Sequence, residues 1–402
     1  MTSIQVTDMI RNGEREKKRL NEKIKDKIKK NLKQYVTDES FIGRQGKKFV
    51  RVPIYGLRLP DEQRMKIGFA CKYVHPDRTL KPKLLKEQEQ PLNCRATTVR
   101  WLNEQHPDEA EERLWELMQH NIESIYQLIG YVSTLPAELR MVRISSPILP
   151  VATEATWKYF WKDRSVKAYC EKHFMRCGNL AREKGVRLSM HPGQFTVLAS
   201  DNPDIVERSI EEFEYHVNMA RWMGYGKEFQ DFKINVHIAG RQGPQGIIDA
   251  MRRLTPEARN TITIENDENK WGLEHTLELE KTCALVLDIH HHWVNTGEYI
   301  SATDDRVKRV IDSWRGKRPA LHYSVSREDI LVDHDADTRP DMDTLLADGY
   351  KKQKLRAHSD FYWNNAVNNW AWTFTKDFDM MCESKAKNLA SIDFYARTSD
   401  TS

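Results

Sequence analysis

The stretch TITIENDENKWGLEHTLELEKTCALVLDIH, residues 261–290, decides the fold. It opens on a β-branched run, TITIE, crosses a polar turn into the helix-like TLELEKTCA, and returns to a second apolar run, ALVLD. Two short buried strands with a helical segment between them make one unit of a parallel sheet, because parallel neighbours need a crossover connection. Both strands finish on a carboxylate, Glu265 and Asp288. The carboxyl ends of parallel strands are where such sheets carry their chemistry.

The same pattern recurs along the chain. Candidate strands are KIGFAC (66–71), RMVRISS (140–146), VRLSMH (186–191), KINVHI (233–238), TITIEND (261–267), ALVLDIH (284–290), PALHYS (319–324) and FDMMCES (378–384). Amphipathic segments such as EAEERLWELMQHNIESIYQLIGYV (109–132) and PDIVERSIEEFEYHVNMARWMG (203–224) lie between them. Eight strands alternating with helices predict an α/β fold, a closed (β/α)₈ TIM barrel.

Six of the runs end on His191, His237, Glu265, Asp288, His322 and Glu383. A lone strand-end histidine is usually a hydrogen-bonded structural group, and a lone strand-end carboxylate often caps the next helix. Six converging on one face are different, since crowded, desolvated carboxylates are costly unless cations neutralise them. Mixed imidazole and carboxylate donors suit Zn²⁺, Mn²⁺ or Fe²⁺ more than Ca²⁺, so a centre of several metals is expected. The run DIHHHW (288–293) adds three histidines. The chain turns out of the barrel after Asp288, so Asp288 and His291 make the expected pair, with His290 or His292 left for a supporting or substrate contact.

Composition bounds the rest. The 402 residues carry 63 Lys+Arg against 59 Asp+Glu, a formal charge of +4, which gives little support for a polyanionic partner by itself. The six cysteines are scattered with no CxxC pair, against both a thiolate zinc site and a disulfide scaffold. No apolar run approaches the roughly 18 residues that span a bilayer, and no signal-peptide core is present, so a soluble cytoplasmic protein without membrane contact is expected. From Arg11 to Gln34 a lysine-rich segment repeats Leu20, Ile24, Ile28 and Leu32. That spacing predicts a basic helix with one apolar stripe, either docked on the body or tracking a phosphate backbone. The expected organisation is a basic helical N-terminal extension over 1–60 and a barrel over 61–402. In FYWNNAVNNWAWTF (361–374), Trp363, Trp370 and Trp372 read first as packing of a barrel helix and second as an aromatic platform.

SMHPGQF (189–195), VHIAG (236–240), IENDE (264–268), LDIHHHW (287–293), WRGKRPALHYS (314–324) and CESKAK (382–387) together resemble the motifs of the UV damage endonuclease family, in order and spacing from about Met65 to about Leu389. The resemblance implies a TIM barrel related to endonuclease IV that nicks DNA immediately 5′ of UV photolesions, pyrimidine dimers and 6-4 photoproducts, leaving a 3′-OH and a 5′-phosphate. It implies two or three divalent metals, Mn²⁺ first with Zn²⁺ or Mg²⁺ as alternatives, and damaged double-stranded DNA as the partner of a monomer. Carried over by motif, the ligands are His191, His237, Glu265, Asp288, His291, His322 and Glu383, with His358 of RAHSD after a longer intervening segment. Glu265, His191, His237 and Asp288 carry the catalytic expectation, Glu265 by bridging or orienting a metal-bound water.

The family's GQY wedge reads Gly193, Gln194, Phe195 here, which keeps a ring to stack and loses a hydroxyl. Phe69 likewise replaces a tyrosine, Glu154 stands where a histidine ligand is expected, and Ala320 replaces a lysine that some relatives place near the metals. Arg100, Lys385 and Lys387 are expected at the DNA, with Arg95, Arg315 and Lys317 as further phosphate contacts. The competing readings are an abasic-site endonuclease of the endonuclease IV type, a metal-dependent sugar isomerase or epimerase, and a lesion-binding protein without catalysis.

Overall fold

The computed structural model describes residues 64–399, so the expected N-terminal helix lies outside the described residues. Eight strands form: β1 Ile67–Ala70, β2 Met141–Arg143, β3 Arg187–Met190, β4 Lys233–His237, β5 Ile262–Glu265, β6 Ala284–Val286, β7 Ala320–Tyr323 and β8 Asp379–Cys382. All pairings are parallel, in the order β6-β5-β4-β3-β2-β1-β8-β7. Between β6 and β7 the ring closes through a single parallel bridge, Asp288 with His322, in which His322 N donates to Leu287 O at 3.0 Å. The result is the expected TIM barrel. Its closing stitch falls on two of the ionisable strand ends.

Alternation sorts the side chains. Ala70, Met141, Ala284, Val286, Ala320 and Met381 form one buried cluster with Trp314. Ala320, Val286 and Met381 each stand two residues before His322, Asp288 and Glu383, so they face the same way and make an apolar floor beneath those groups. The residues between them face the surrounding helices.

Those helices are placed by local signals. Pro107–Ser133 begins with proline and two acids, Asp108 and Glu109, which favour the positive end of the helix dipole. It buries Leu114, Leu117, Met118, Ile122, Ile125 and Ile129 along one stripe. Arg164–Glu183 is capped by Asp163, which accepts from Ser165 N and Val166 N, and Pro203–Trp222 by Asn202. A Cβ on Gly178 would lie 1.9 Å from Met223 O, so only glycine lets the first of these helices approach the end of the second.

The tryptophans of 361–374 serve packing. Trp363 Nε1 donates to Ser326 O at 2.8 Å, Trp370 Nε1 to Ile300 O at 2.7 Å, and Trp372 meets the Phe394 ring edge-on. His75–Leu85 falls in a compact unit separate from the barrel unit. Among the described residues no helix is long and apolar enough to cross a membrane.

Candidate metal centre

The carboxyl ends of six strands deliver their ionisable groups to one place. Glu265, closing β5, is fully buried and sits at the middle: His322 Nδ1 lies 2.9 Å from its Oε1, and His191 Nε2 and His237 Nδ1 lie 3.4 and 3.9 Å from its Oε2. His291 Nδ1 approaches the same Oε1 at 3.7 Å and Asp288 Oδ2 at 3.6 Å. His322 Nδ1 also lies 3.3 Å from Glu383 Oε1. Three groups of donor atoms result, each within 4.8 Å: His191, His237 and Glu265; Glu265, Asp288 and His291; Asp288, His322 and Glu383. Glu265 joins the first two and Asp288 the last two. The centre is a chain of linked corners.

The turn after β6 explains why one histidine of three takes part. Asp288 is the N-cap of helix Ile289–Thr296, and its Oδ1 accepts from His291 N at 2.7 Å. That bond holds the third helical residue beside the cap while Oδ2 remains buried with no hydrogen-bond partner. Successive helical residues turn by about 100°, so the neighbours face elsewhere. His290 stacks on Trp293, and His292 Nε2 pairs with Glu298 Oε2 at 3.0 Å. Asn266 braces the turn, exchanging bonds with Asp288 N and O at 2.9 and 3.0 Å while its own carbonyl meets His291 Nδ1 at 3.1 Å.

The electrostatics are those of buried carboxylates crowded among imidazoles. Burial opposes ionisation of Glu265, yet the imidazoles of His322, His237 and His191 hold its carboxyl well below the usual range. Burial drives the Asp288 carboxyl well above its usual range; His291 pulls it down, and Glu265 and Glu383 push it up. Burial also lowers His291, but Asp288, Glu265 and Glu268 outweigh it and raise the ring to about 9. His191 shows the opposite balance, pushed down to about 4 by burial against its bond to Glu265. Of these rings, His291 is the one whose carboxylate neighbours favour the protonated form. Three carboxylates, four imidazoles and an unpartnered Asp288 Oδ2 fit divalent cations with nitrogen and oxygen preferences.

Not every sequence expectation falls here. His358 reaches the rim, its Nδ1 bonded to Glu383 O at 2.7 Å, but belongs to none of the three groups. Glu154 is also outside them. Its Oε2 accepts from Thr156 N at 2.8 Å and Trp157 N at 3.1 Å, so the carboxylate is committed to a local turn. Phe69 is 1% exposed, and because Ala70 faces the lumen floor the alternation of β1 turns Phe69 toward the helices, away from any duplex. Arg315 and Lys317 precede β7 and so sit at the opposite end of the barrel, Arg315 over the Phe229 ring at 4.0 Å and Lys317 Nζ 3.4 Å from Glu228. They correct the expected phosphate role. Arg100 and Lys385 are exposed, Arg100 with Nε 2.8 Å from Glu104 Oε1, and Lys387 is half-buried.

Sequence reasoning missed the brace beneath the ligands. Asn235 donates to Glu265 Oε2 and accepts from Thr263 Oγ1 at 2.8 Å. Lys233, 2% exposed, places Nζ 2.8 Å from His322 Nε2, so a lysine amine, pushed down to about 7 by burial, stands near the centre although position 320 is alanine. Arg143, closing β2, bonds Glu383 Oε1. A signal was present: Lys233, Asn235 and His237 alternate in KINVH and must share one face.

Over the centre opens a cleft of about 740 Å³, lined by Pro192, Gly193 and Gln194 and by Gln353, Lys354, Arg356 and His358, with His237 and His291 also lining it. Phe195 stands beside it, 84% exposed. Gly240 ends the VHIAG turn after β4 with φ of 104°, where a Cβ would lie 2.2 Å from Ala199 O, so the turn requires glycine.

The chain matches the family described as UV-endonuclease UvdE over residues 65–400. It is 24% identical over 298 residues to the UV DNA damage endonucleases of Bacillus thuringiensis subsp. konkukian (strain 97-27) and Bacillus cereus (strain 03BB102), covering 71% of this chain and 83% of each relative. The crystal structure of SacUVDE superposes with a TM-score of 0.62 at 21% identity, over 84% of this chain and 99% of that one. With that match spanning most of its length, the chain belongs to the UV-endonuclease UvdE family and is an endonuclease built on a TIM barrel.

Proposed function

We propose that this protein nicks the DNA backbone immediately 5′ of UV photolesions, pyrimidine dimers and 6-4 photoproducts, by metal-dependent hydrolysis that leaves a 3′-OH and a 5′-phosphate. One observation carries the reading. Three potential ligand groups are linked through Glu265 and Asp288 on the floor of a cleft whose rim bears the exposed Phe195.

His191, His237, Glu265, Asp288, His291, His322 and Glu383 would hold two or three divalent cations, with Mn²⁺ the expected metal. Such cations would neutralise the non-bridging oxygens of a phosphodiester and ease ionisation of water near neutral pH. The chain's own residues do the rest. Glu265, kept ionised by its imidazole neighbours, holds negative charge at the junction of two corners. Asn235 and Asn266 keep Glu265 and the Asp288 turn in register. Gln194 and Phe195 fill the gap left when a poorly stacked lesion leaves the helix, a displacement that costs a few kcal/mol less than for an intact pair, to order of magnitude. Lys385, Lys387 and Arg100 supply phosphate contacts. The reading also takes residues 1–60 as a basic extension that adds salt-sensitive affinity, and the whole as a cytoplasmic monomer acting on damaged duplex.

Cleavage of an end-labelled duplex bearing one thymine dimer, with Mn²⁺ and with chelator, beside its undamaged twin, tests this. A metal-dependent nick 5′ of the dimer and none in the twin is the expected result. No nick with any divalent metal would overturn it, and a nick only at an abasic site would move the activity to that lesion.

A further inference from the structure

The cleft has two walls, and only one is explained by the motifs. The other comes from the long connection between β7 and β8, the segment that separates His322 from His358. It is pinned on both flanks. Leu355 is fully buried in a cluster with Trp293, Val294, Leu331, Met342 and Leu345, and Ser326 Oγ donates to its carbonyl at 2.5 Å. Lys352 Nζ donates to Asn295 O at 2.6 Å, and His358 bridges to Ser326 in antiparallel fashion. Lys354 and Arg356, on either side of the buried Leu355, are thereby held at the mouth of the cleft beside His291 and His358. A wall already ordered loses less freedom on binding than a flexible tail of the same charge.

Charge gives that wall a purpose. Glu268 lines the same cleft, 3.9 Å from His291 Nε2, and an uncompensated acid there would repel a phosphate. Arg356 Nη1 binds Glu268 Oε1 at 2.7 Å and cancels it, which leaves the exposed Lys354 as positive charge at the rim. Resting on the endonuclease reading above, we infer that Lys354 grips a backbone phosphate at the cleft while Arg356 keeps the Glu268 charge neutralised beside it, holding the duplex over the centre without regard to the lesion.

The test uses the full chain carrying Glu265→Gln, so that DNA stays intact, with Mn²⁺. Binding of a fluorescent thymine-dimer duplex and of its undamaged twin is followed by anisotropy across a KCl series. Adding Lys354→Met and Arg356→Met should weaken both duplexes by the same factor, about tenfold or more, and should flatten the slope of log K against log salt by about 0.9 for each phosphate no longer neutralised. Because Arg356→Met strands Glu268, Lys354→Met is also measured alone, with an expected flattening of about 0.9. An unchanged slope and affinity in both variants, with the parent still preferring the dimer, overturns this inference and leaves the endonuclease reading standing. Loss of dimer preference at an unchanged slope also overturns it, since the wall would then read the lesion. A parent that binds both duplexes alike removes the photolesion reading, and the salt slopes of the two variants then decide this inference by themselves.

Discussion

The two ends of the barrel carry similar charged residues to opposite effect. At the amino end Asp379, 2% exposed, opens β8; its Oδ1 accepts from Lys66 N and Arg318 Nε at 2.8 Å each, and its Oδ2 from Arg187 Nη1 at 2.5 Å. Arg318 spends its remaining donors on Thr375 O, Phe378 O and Lys376 O at 2.7, 2.9 and 3.2 Å. Both oxygens of that buried acid are satisfied. At the carboxyl end Glu265, Asp288 and Glu383 face mainly imidazoles, and Asp288 keeps one oxygen unpartnered. The first arrangement is a structural lock, because every buried charge has its counterpart; the second is a site whose stability depends on what binds it.

That contrast can be broken in several ways, beginning with the largest effect. Asp379→Ala should cost about 3–5 kcal/mol by stranding two arginines, read as a lower urea midpoint, with no change in metal stoichiometry per folded chain. Equal stability would mean the amino end is not a lock. At the other end, chelation of purified protein should lower stability by about 2.7 kcal/mol relative to metal at a hundred times its Kd, measured by thermal or urea unfolding. Indifference to chelator would remove the metal centre.

Smaller changes sharpen the assignment within the centre. Glu265→Gln should reduce nicking of a dimer duplex at least about a hundredfold, more than an outer partner would, while damaged-DNA binding survives. Asn266→Ala, which touches Asp288 and His291 without being a candidate ligand, should weaken metal affinity by about 10- to 100-fold in a calorimetric titration. Asp288→Asn should have the smallest effect on the chelated protein, near zero or slightly stabilising, since burial already drives that carboxyl toward its neutral form and an amide oxygen can keep the cap to His291 N; marked destabilisation without metal would show that its charge beside His291 is structural.

Much of this is legible in residues alone, and the reasons are specific. Strand alternation and strand-end chemistry survive in one dimension, so the eight strands and the run from His191 to Glu383 stand where their sequence pattern puts them. Even Asn235 and Lys233 leave a mark, because period two ties them to the face of His237. Position in a motif misplaces Glu154 and Phe69. Their fates depend on a turn that absorbs the carboxylate and on which face of β1 meets the lumen.

The sequence by itself therefore determined the barrel, its chemical face and seven residues that converge there, since local periodicity and the rule of parallel strands suffice for each. Only the tertiary structure decided what His290 and His292 pack against, that Arg315 and Lys317 lie at the far end, and that Lys354 and Arg356 line the cleft. Those outcomes depend on helix phase, strand polarity and the docking of a long connection on Leu355. Each is set by packing between residues distant in the chain, and no local pattern encodes them.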